Sequence, residues 1–294
     1  MTQIAFISWD YSPEIFRMNF FTLRWYGMFF GIAFVSGYFI IRKMFEMERI
    51  QAKSLELLFY CVAGGTFLGA RLGHCLFYEP AYFLHHPLEI ILPFACDAQG
   101  TCHFTGYQGL ASHGAACGIL AALLIYSKIE RRPYLWILDR IVVAVALAGF
   151  FIRMGNLMNS EIYGIETSLP WGFIFVNANE TVPRHPTQIY EAMACLAIFG
   201  LLYALYFYRP STVRYRGVLS GIFLVTLFSA RFLIEFIKED QVVFEKTMIL
   251  NMGQLLSIPF ILSGAFLWIR QKKNPEKVPE LKNISDLCTT VKNP

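Results

Sequence analysis

The decisive stretch is Gly149-Phe150-Phe151-Ile152-Arg153-Met154-Gly155-Asn156-Leu157-Met158-Asn159-Ser160-Glu161-Ile162-Tyr163-Gly164. It begins inside a long apolar run and ends in a polar loop. Arg153, Asn156, Asn159 and Glu161 stand where a membrane segment would show apolar side chains. A charge at membrane depth is expensive and marks a functional site by default. Arg153, Asn156 and Ser160 recur at i, i+3 and i+7, so they share one helix face. Gly149, one turn below Arg153, leaves room for close approach. Asn159, Ser160 and Glu161 have two readings: part of the site, or a cap that ends the helix.

Composition places the stretch in a membrane protein. The 294 residues are 56% hydrophobic and 16% charged, with 28 phenylalanines. Soluble domains average about 25% charged residues. Mean hydropathy is +0.47. Net charge is only +4, and no basic block interleaved with aromatics occurs, which excludes nucleic acid as a partner. The N-terminus lacks a basic segment followed by an apolar one, so no cleaved signal peptide is expected. Seven cysteines are present. Cys96 and Cys102 share a loop and can pair if it is extracytoplasmic; spacing leaves the bond open. Neither a CxxC pair nor zinc-type spacing occurs, and no metal or cofactor is implied.

Working outward, seven apolar runs are long enough to cross a bilayer. They cover about 21–41, 55–77, 109–126, 138–158, 188–207, 217–236 and 250–269. The expected fold is an all-α membrane protein with its membrane domain over 1–270. A small extracytoplasmic head at about 159–187 lies between spans four and five. A polar tail, 271–294, follows. Residues 1–20 are mixed and amphipathic and are expected along a membrane surface. Loops after spans one, three and five and the start of the tail carry 14 basic residues, against four on the other side. That asymmetry puts the N-terminus outside and the C-terminus in the cytoplasm.

Counting depth brings polar residues from six spans to one level. At about 1.5 Å per residue, Arg153, Arg231 and Arg71 lie roughly 22, 21 and 24 Å above the cytoplasmic ends of their spans. Tyr26, His113 and Glu191 lie a few residues inside spans that enter from outside. Three arginines at one depth repel each other unless an anion or carboxylates sit among them. Glu191 and Glu235 are candidate partners. One reading is structural ion pairs. The other is a cavity for an anionic headgroup, which suits the planar, permanently charged arginine fork. Histidine is the side chain whose ordinary pKa lies near neutrality, as a general base requires, and His113 is the candidate. Arg184-His185-Pro186-Thr187-Gln188 either aims Arg184 or Gln188 back at the mouth or is a plain turn. Gly64, Gly65, Gly69 and Gly73 read as helix-packing residues.

These blocks together resemble the prolipoprotein diacylglyceryl transferases. The Gly149–Gly164 stretch carries the most specific match. Arg24-Trp25-Tyr26-Gly27, Gly69-Ala70-Arg71-Leu72-Gly73, His85-His86-Pro87-Leu88-Glu89, Ser112-His113-Gly114, Arg184 to Glu191, Arg231 to Phe236 and Met252 to Ser257 fit the same family in order. Local departures are Ser112 before the histidine, Ala115 after Gly114, and Leu157 in place of an aromatic.

The resemblance implies transfer of a diacylglyceryl group from phosphatidylglycerol to the lipobox cysteine in the signal peptide of a preprolipoprotein. The products are a thioether and glycerol phosphate, and the setting is the bacterial inner membrane among membrane lipids. His113, Arg153, Arg231 and Tyr26 would be catalytic. Arg153, Asn156, Glu161, Gly164, Arg71, Arg184, Gln188, Glu191 and Glu235 would bind substrate. No cofactor is implied. The alternatives are a transporter or flippase of an anionic lipid or solute using the same arginine cavity, and a non-enzymatic scaffold, against which the clustered arginines argue.

Overall fold

The structure, a computed structural model, describes residues 6–18, 21–92, 94–96, 102–104, 109, 111–209, 215–239 and 248–273. The polar tail from residue 274 and the side chains of Cys96 and Cys102 lie outside this description. The helices are α1 Trp25–Met47, α2 Ala52–Phe77, α3 Pro80–His85, α4 Leu88–Ile91, α5 Ser112–Ile129, α6 Tyr134–Met158, α7 Thr187–Tyr208, α8 Val218–Ile234 and α9 Met252–Lys273. Among the described residues, seven helices (α1, α2, α5, α6, α7, α8 and α9) are long and apolar enough to cross a membrane. They coincide with the seven expected runs. Short strands complete the chain: β1 Ile7–Trp9, β2 Glu14–Met18, β3 Phe21–Arg24, β4 Phe94–Cys96, β5 Cys102–Phe104 and β6 Phe173–Phe175.

In the N-terminal segment, Ile7–Trp9, Glu14–Met18 and Phe21–Arg24 are paired β structure. β2 and β3 form an antiparallel hairpin, and β1 runs parallel to β6 with Ile7 opposite Phe173 and Trp9 opposite Phe175. Three-residue strands carry little local signal; this one exists because its partner lies far along the chain. Trp9 stacks on Phe173 at 5.3 Å and donates from Nε1 to the Leu157 carbonyl at 3.1 Å. Leu157, Phe173 and Phe175 form a small buried core against which Trp9, Tyr163 and Ile189 pack. β1 thus ties the chain start to the end of α6.

The chain divides into two compact units, one of residues 1–48 and 138–294, the other of residues 49–137. In the first unit, Gly37 of α1 faces Ala144 of α6, and Gly149 of α6 faces the Cys195 side chain of α7. Gly264 of α9 meets Gly221 of α8, while Phe228 and Phe260 stack at 4.3 Å. Polar joints fix the end of α6 remote from Arg153. Asp139 caps α8 by accepting from the backbone N–H groups of Gly217 and Ser220, at 2.5 and 2.9 Å. Gly217 holds φ +88°, the left-handed conformation that suits glycine. Arg140 donates from Nε to Glu48 at 2.9 Å, and the Tyr206 hydroxyl donates to the same carboxylate. Removing one partner of a buried pair of this kind costs about 3–5 kcal/mol.

In the second unit, α2 and α5 meet backbone to backbone. A Cβ at Gly65, Gly69 or Gly73 would collide with Gly114, Gly118 or their neighbours on α5. Of the glycines expected to pack helices, Gly65, Gly69 and Gly73 do so, whereas Gly64 faces open space. β4 and β5 pair antiparallel, with Cys96 opposite Cys102 in backbone register.

Candidate functional site

The site in the first unit begins with the last turns of α6. Arg153 lies in the last quarter of that helix, and its fork is divided. Nε contacts Glu191 Oε2 of α7 at 2.8 Å, and Nη1 donates to Asn156 Oδ1 at 3.2 Å. The contact with Glu191 is an ion pair off the line of a hydrogen bond; Oε2 accepts no hydrogen bond among the described residues. Asn156 and Asn159 both donate to Glu161 Oε1, at 2.7 and 3.2 Å. The i, i+3 stripe continues into the loop, and Glu161 is part of the cluster rather than only a helix stop.

Backbone strain is concentrated here. Ser160 and Ile162 adopt φ of 54° and 61°. The left-handed region is uncommon for non-glycine residues and a genuine outlier for a β-branched one. Such strain costs about 1–3 kcal/mol per residue and persists only where the surroundings over-determine it. The start of α7 supplies that determination. The Thr187 hydroxyl donates to the Ile162 carbonyl at 2.9 Å, and Gln188 Nε2 donates to the Glu161 carbonyl at 2.7 Å. Both side chains are fully buried. Gln188 thus reaches back to the stretch through the backbone of Glu161.

Gly164 closes the loop. Its N–H donates to the His185 carbonyl at 2.9 Å, and Ile165 N–H donates to the Ile237 carbonyl at 3.0 Å. A Cβ at Gly164 would overlap the Ile237 carbonyl oxygen and approach His185 and Thr187 side chains to 2.8 Å. Glycine is needed for close approach. This stitch carries the segment after α8 across the site and delivers a residue the sequence reading passed over. Lys238, a loop lysine in sequence, is buried, with Nζ 3.2 Å from Glu191 Oε1 and 3.6 Å from Glu235 Oε2. Glu191 is therefore held by two cations, one on each oxygen. The only sequence signal was its i+3 spacing from Glu235.

Glu235 rests against the start of α9. A Cβ at Gly253 would meet its carboxyl carbon at 2.5 Å, and Asn251 Nδ2 donates to its carbonyl at 3.3 Å. Asn251 and Gln254 cap α9 reciprocally, Asn251 N–H to Gln254 Oε1 at 3.1 Å and Gln254 N–H to Asn251 Oδ1 at 2.9 Å. A helix start favours a neighbouring carboxylate. Arg231 lies one turn before Glu235 and is half-buried; its side chain makes no hydrogen bond or ion pair among the described residues. Tyr26, at the start of α1, packs its ring on Gly155, where a Cβ would approach Tyr26 Cδ2 to 2.8 Å. It lies within electrostatic reach of Glu161 and Arg153.

Arg184 is placed otherwise. Its guanidinium pairs with Glu180 at 2.9 Å and Glu239 at 3.3 Å and lies over the Tyr163 ring. Burial works against its charge, but the two carboxylates outweigh that and hold its pKa up. Burial and the bond donated to Glu180 push the Tyr163 hydroxyl up to about 12. Burial lowers the pKa of His185. Within the second unit, Arg71 is buried, donates to the Glu89 and Ile90 carbonyls at 2.6 and 3.2 Å, and lies over Phe83. It holds the α3–α4 segment. His113 is exposed in the first turn of α5 and has no hydrogen bond or ion pair among the described residues.

A family profile described as prolipoprotein diacylglyceryl transferase matches residues 13–270. The chain belongs to this family. It is 45% identical over 289 residues to the phosphatidylglycerol–prolipoprotein diacylglyceryl transferase of Porphyromonas gingivalis, covering 94% of this chain and 98% of that one. It is 42% identical over 277 residues to the protein of the same name from Chloroherpeton thalassium, again 94% and 98%. The corresponding Bacteroides fragilis protein is 41% identical over 272 residues, covering 92% and 98%. The family match spans every cluster residue from Tyr26 to Gly253. A transporter or flippase reading finds no support among these relatives.

Proposed function

We propose that this chain transfers the diacylglyceryl group of phosphatidylglycerol to the lipobox cysteine of a preprolipoprotein signal peptide, the first step of lipoprotein maturation. The Arg153 assembly in a chain of this family carries the reading. A thiolate sulfur attacks the glyceryl carbon bonded to the phosphate ester oxygen. The S–C bond forms, the C–O bond breaks, and its electron pair leaves on the phosphate of glycerol phosphate. Negative charge on that phosphate grows as the bond breaks. Preorganised cations aimed at developing charge stabilise such a transition state in a water-poor site.

Arg153 is preorganised by Glu191 and Asn156, and Arg231 supplies a second, unspent charge. His113 takes the thiol proton. Tyr26, Asn156 and Glu161 position the headgroup; Glu191, itself paired with Lys238 beside Glu235, holds Arg153, while Gly164 and Gln188 hold the strained loop. Arg184 acts from the head, and Arg71 holds the α3–α4 segment. The site faces the outer leaflet of the bacterial inner membrane, with the N-terminus outside and the C-terminus in the cytoplasm, as the basic-residue asymmetry supports.

The test uses the full chain in vesicles containing phosphatidylglycerol and a lipobox peptide. The expected result is a mass gain of one diacylglyceryl group on the cysteine, abolished by changing that cysteine to serine. No mass gain from correctly inserted protein overturns the reading.

A further inference from the structure

The loop after Gly164 carries apolar side chains that the head does not bury. Leu169 and Trp171 are 36% and 50% exposed, although the apolar cluster around Phe175 lies a few residues away. The loop is tightly built. Thr167 N–H donates to the Pro183 carbonyl, Leu169 N–H to Thr167 Oγ1, and Gly172 N–H to the Leu169 carbonyl, at 2.9, 3.2 and 2.9 Å. A Cβ at Gly172 would approach Thr167 Cγ2 to 2.8 Å. This well-bonded turn holds the two side chains on its outside.

What they face follows from one hydrogen bond. Trp171 Nε1 donates to the Tyr190 hydroxyl at 2.9 Å. Tyr190 is the fourth residue of α7, about 4.5 Å from the start of the span. Along α7, Tyr190, Met193, Ala197 and Leu201 recur at i, i+3, i+7 and i+11, opposite the buried Gln188, Glu191 and Cys195. Met193, Ala197 and Leu201 are exposed. In a membrane-spanning helix that outward face meets lipid. Trp171 therefore continues the lipid-facing surface of α7 onto the head. Trp and Tyr are the side chains that settle at this level, their apolar rings in lipid and their polar tips in the headgroup layer.

We infer that Ile165–Trp171 is an interfacial anchor that seats the head in the lipid headgroup layer on the site's side of the membrane. The occupant of this surface is lipid. Loop charge is limited to Glu166, so apolar contact rather than attraction to anionic lipid provides the binding. The anchor leaves directly from Gly164, whose neighbour Ile165 is bonded to Ile237. It thereby sets the depth of the strained loop and of Glu161 against the headgroups. The inference rests on α7 spanning the membrane, not on the transferase reading.

Tryptophan emission tests it in the full chain, reconstituted in vesicles of phosphatidylcholine and phosphatidylglycerol. The chain has five tryptophans, and the difference between wild type and Trp171→Phe isolates one. A nitroxide on the headgroup should quench that difference emission about twofold more than a nitroxide at mid-chain, as headgroup depth requires, and aqueous iodide should leave it unchanged. Leu169→Trp keeps the native Trp171–Tyr190 bond and should add emission with the same pattern, which protects the test against a misfolded Trp171→Phe. Emission quenched by iodide and by neither lipid nitroxide overturns the anchor. Emission insensitive to lipid nitroxide but shielded by an added lipobox peptide also overturns it and assigns the surface to the acceptor.

Discussion

Replacing Arg153 by Lys keeps the charge and removes the fork. In the native site Nε contacts Glu191 at 2.8 Å and Nη1 donates to Asn156 at 3.2 Å. A lysine ammonium, a compact point charge, can keep Glu191 company but cannot also hold Asn156 and present two parallel donors to a phosphate. The bond to Asn156 and one of the two donors to the phosphate are lost, each worth about 1.5–3 kcal/mol. If both act in the transition state, the barrier rises by about 3–6 kcal/mol, or roughly 10²–10⁴ in rate at 1.36 kcal/mol per decade. Folding should change little, because Glu191 retains Lys238 and the new ammonium. The assay is mass gain on a lipobox peptide in phosphatidylglycerol vesicles, with thermal unfolding measured alongside. Transfer within threefold of wild type would refute the division of labour assigned to the fork; loss of the folded protein would show that Arg153 acts mainly as a structural ion pair.

Lys238→Met should lose about 3–5 kcal/mol of stability, because it strips a cation from buried Glu191 and Glu235, and transfer should drop with it. Lys238→Arg should recover both; a fully active Lys238→Met would remove Lys238 from the site. Gly164→Ala should cost about 1–3 kcal/mol by overpacking, with faster hydrogen exchange at the Ile165 amide as the stitch to Ile237 opens. Unchanged exchange there would contradict the close-approach argument. Tyr163 has its folded pKa raised to about 12. Its neutral form is favoured by folding, so its contribution is complete below about pH 10 and is lost as pH rises towards 12. Stability measured against pH should therefore fall over that window in wild type and fall less in Tyr163→Phe.

Length and apolarity alone decided the seven spans. A run of about 20 apolar residues has few places to go other than a bilayer or a very large core. The cost of a charge at depth singles out Arg153, and helix periodicity by itself joins it to Asn156. Tertiary structure decided the rest. Lys238 reads as a solvated loop lysine until the Gly164–Ile237 stitch folds it inward, because burial of a loop residue depends on a distant segment. β1 is invisible without β6, more than 160 residues away. Arg71 and Arg231 look alike by depth, yet Arg71 is spent on the Glu89 and Ile90 carbonyls while Arg231 has no partner among the described residues. Sequence spacing sets which residues share a helix face. Only packing sets which neighbour takes each charge, and in this chain that assignment makes a set of costly membrane charges into a site.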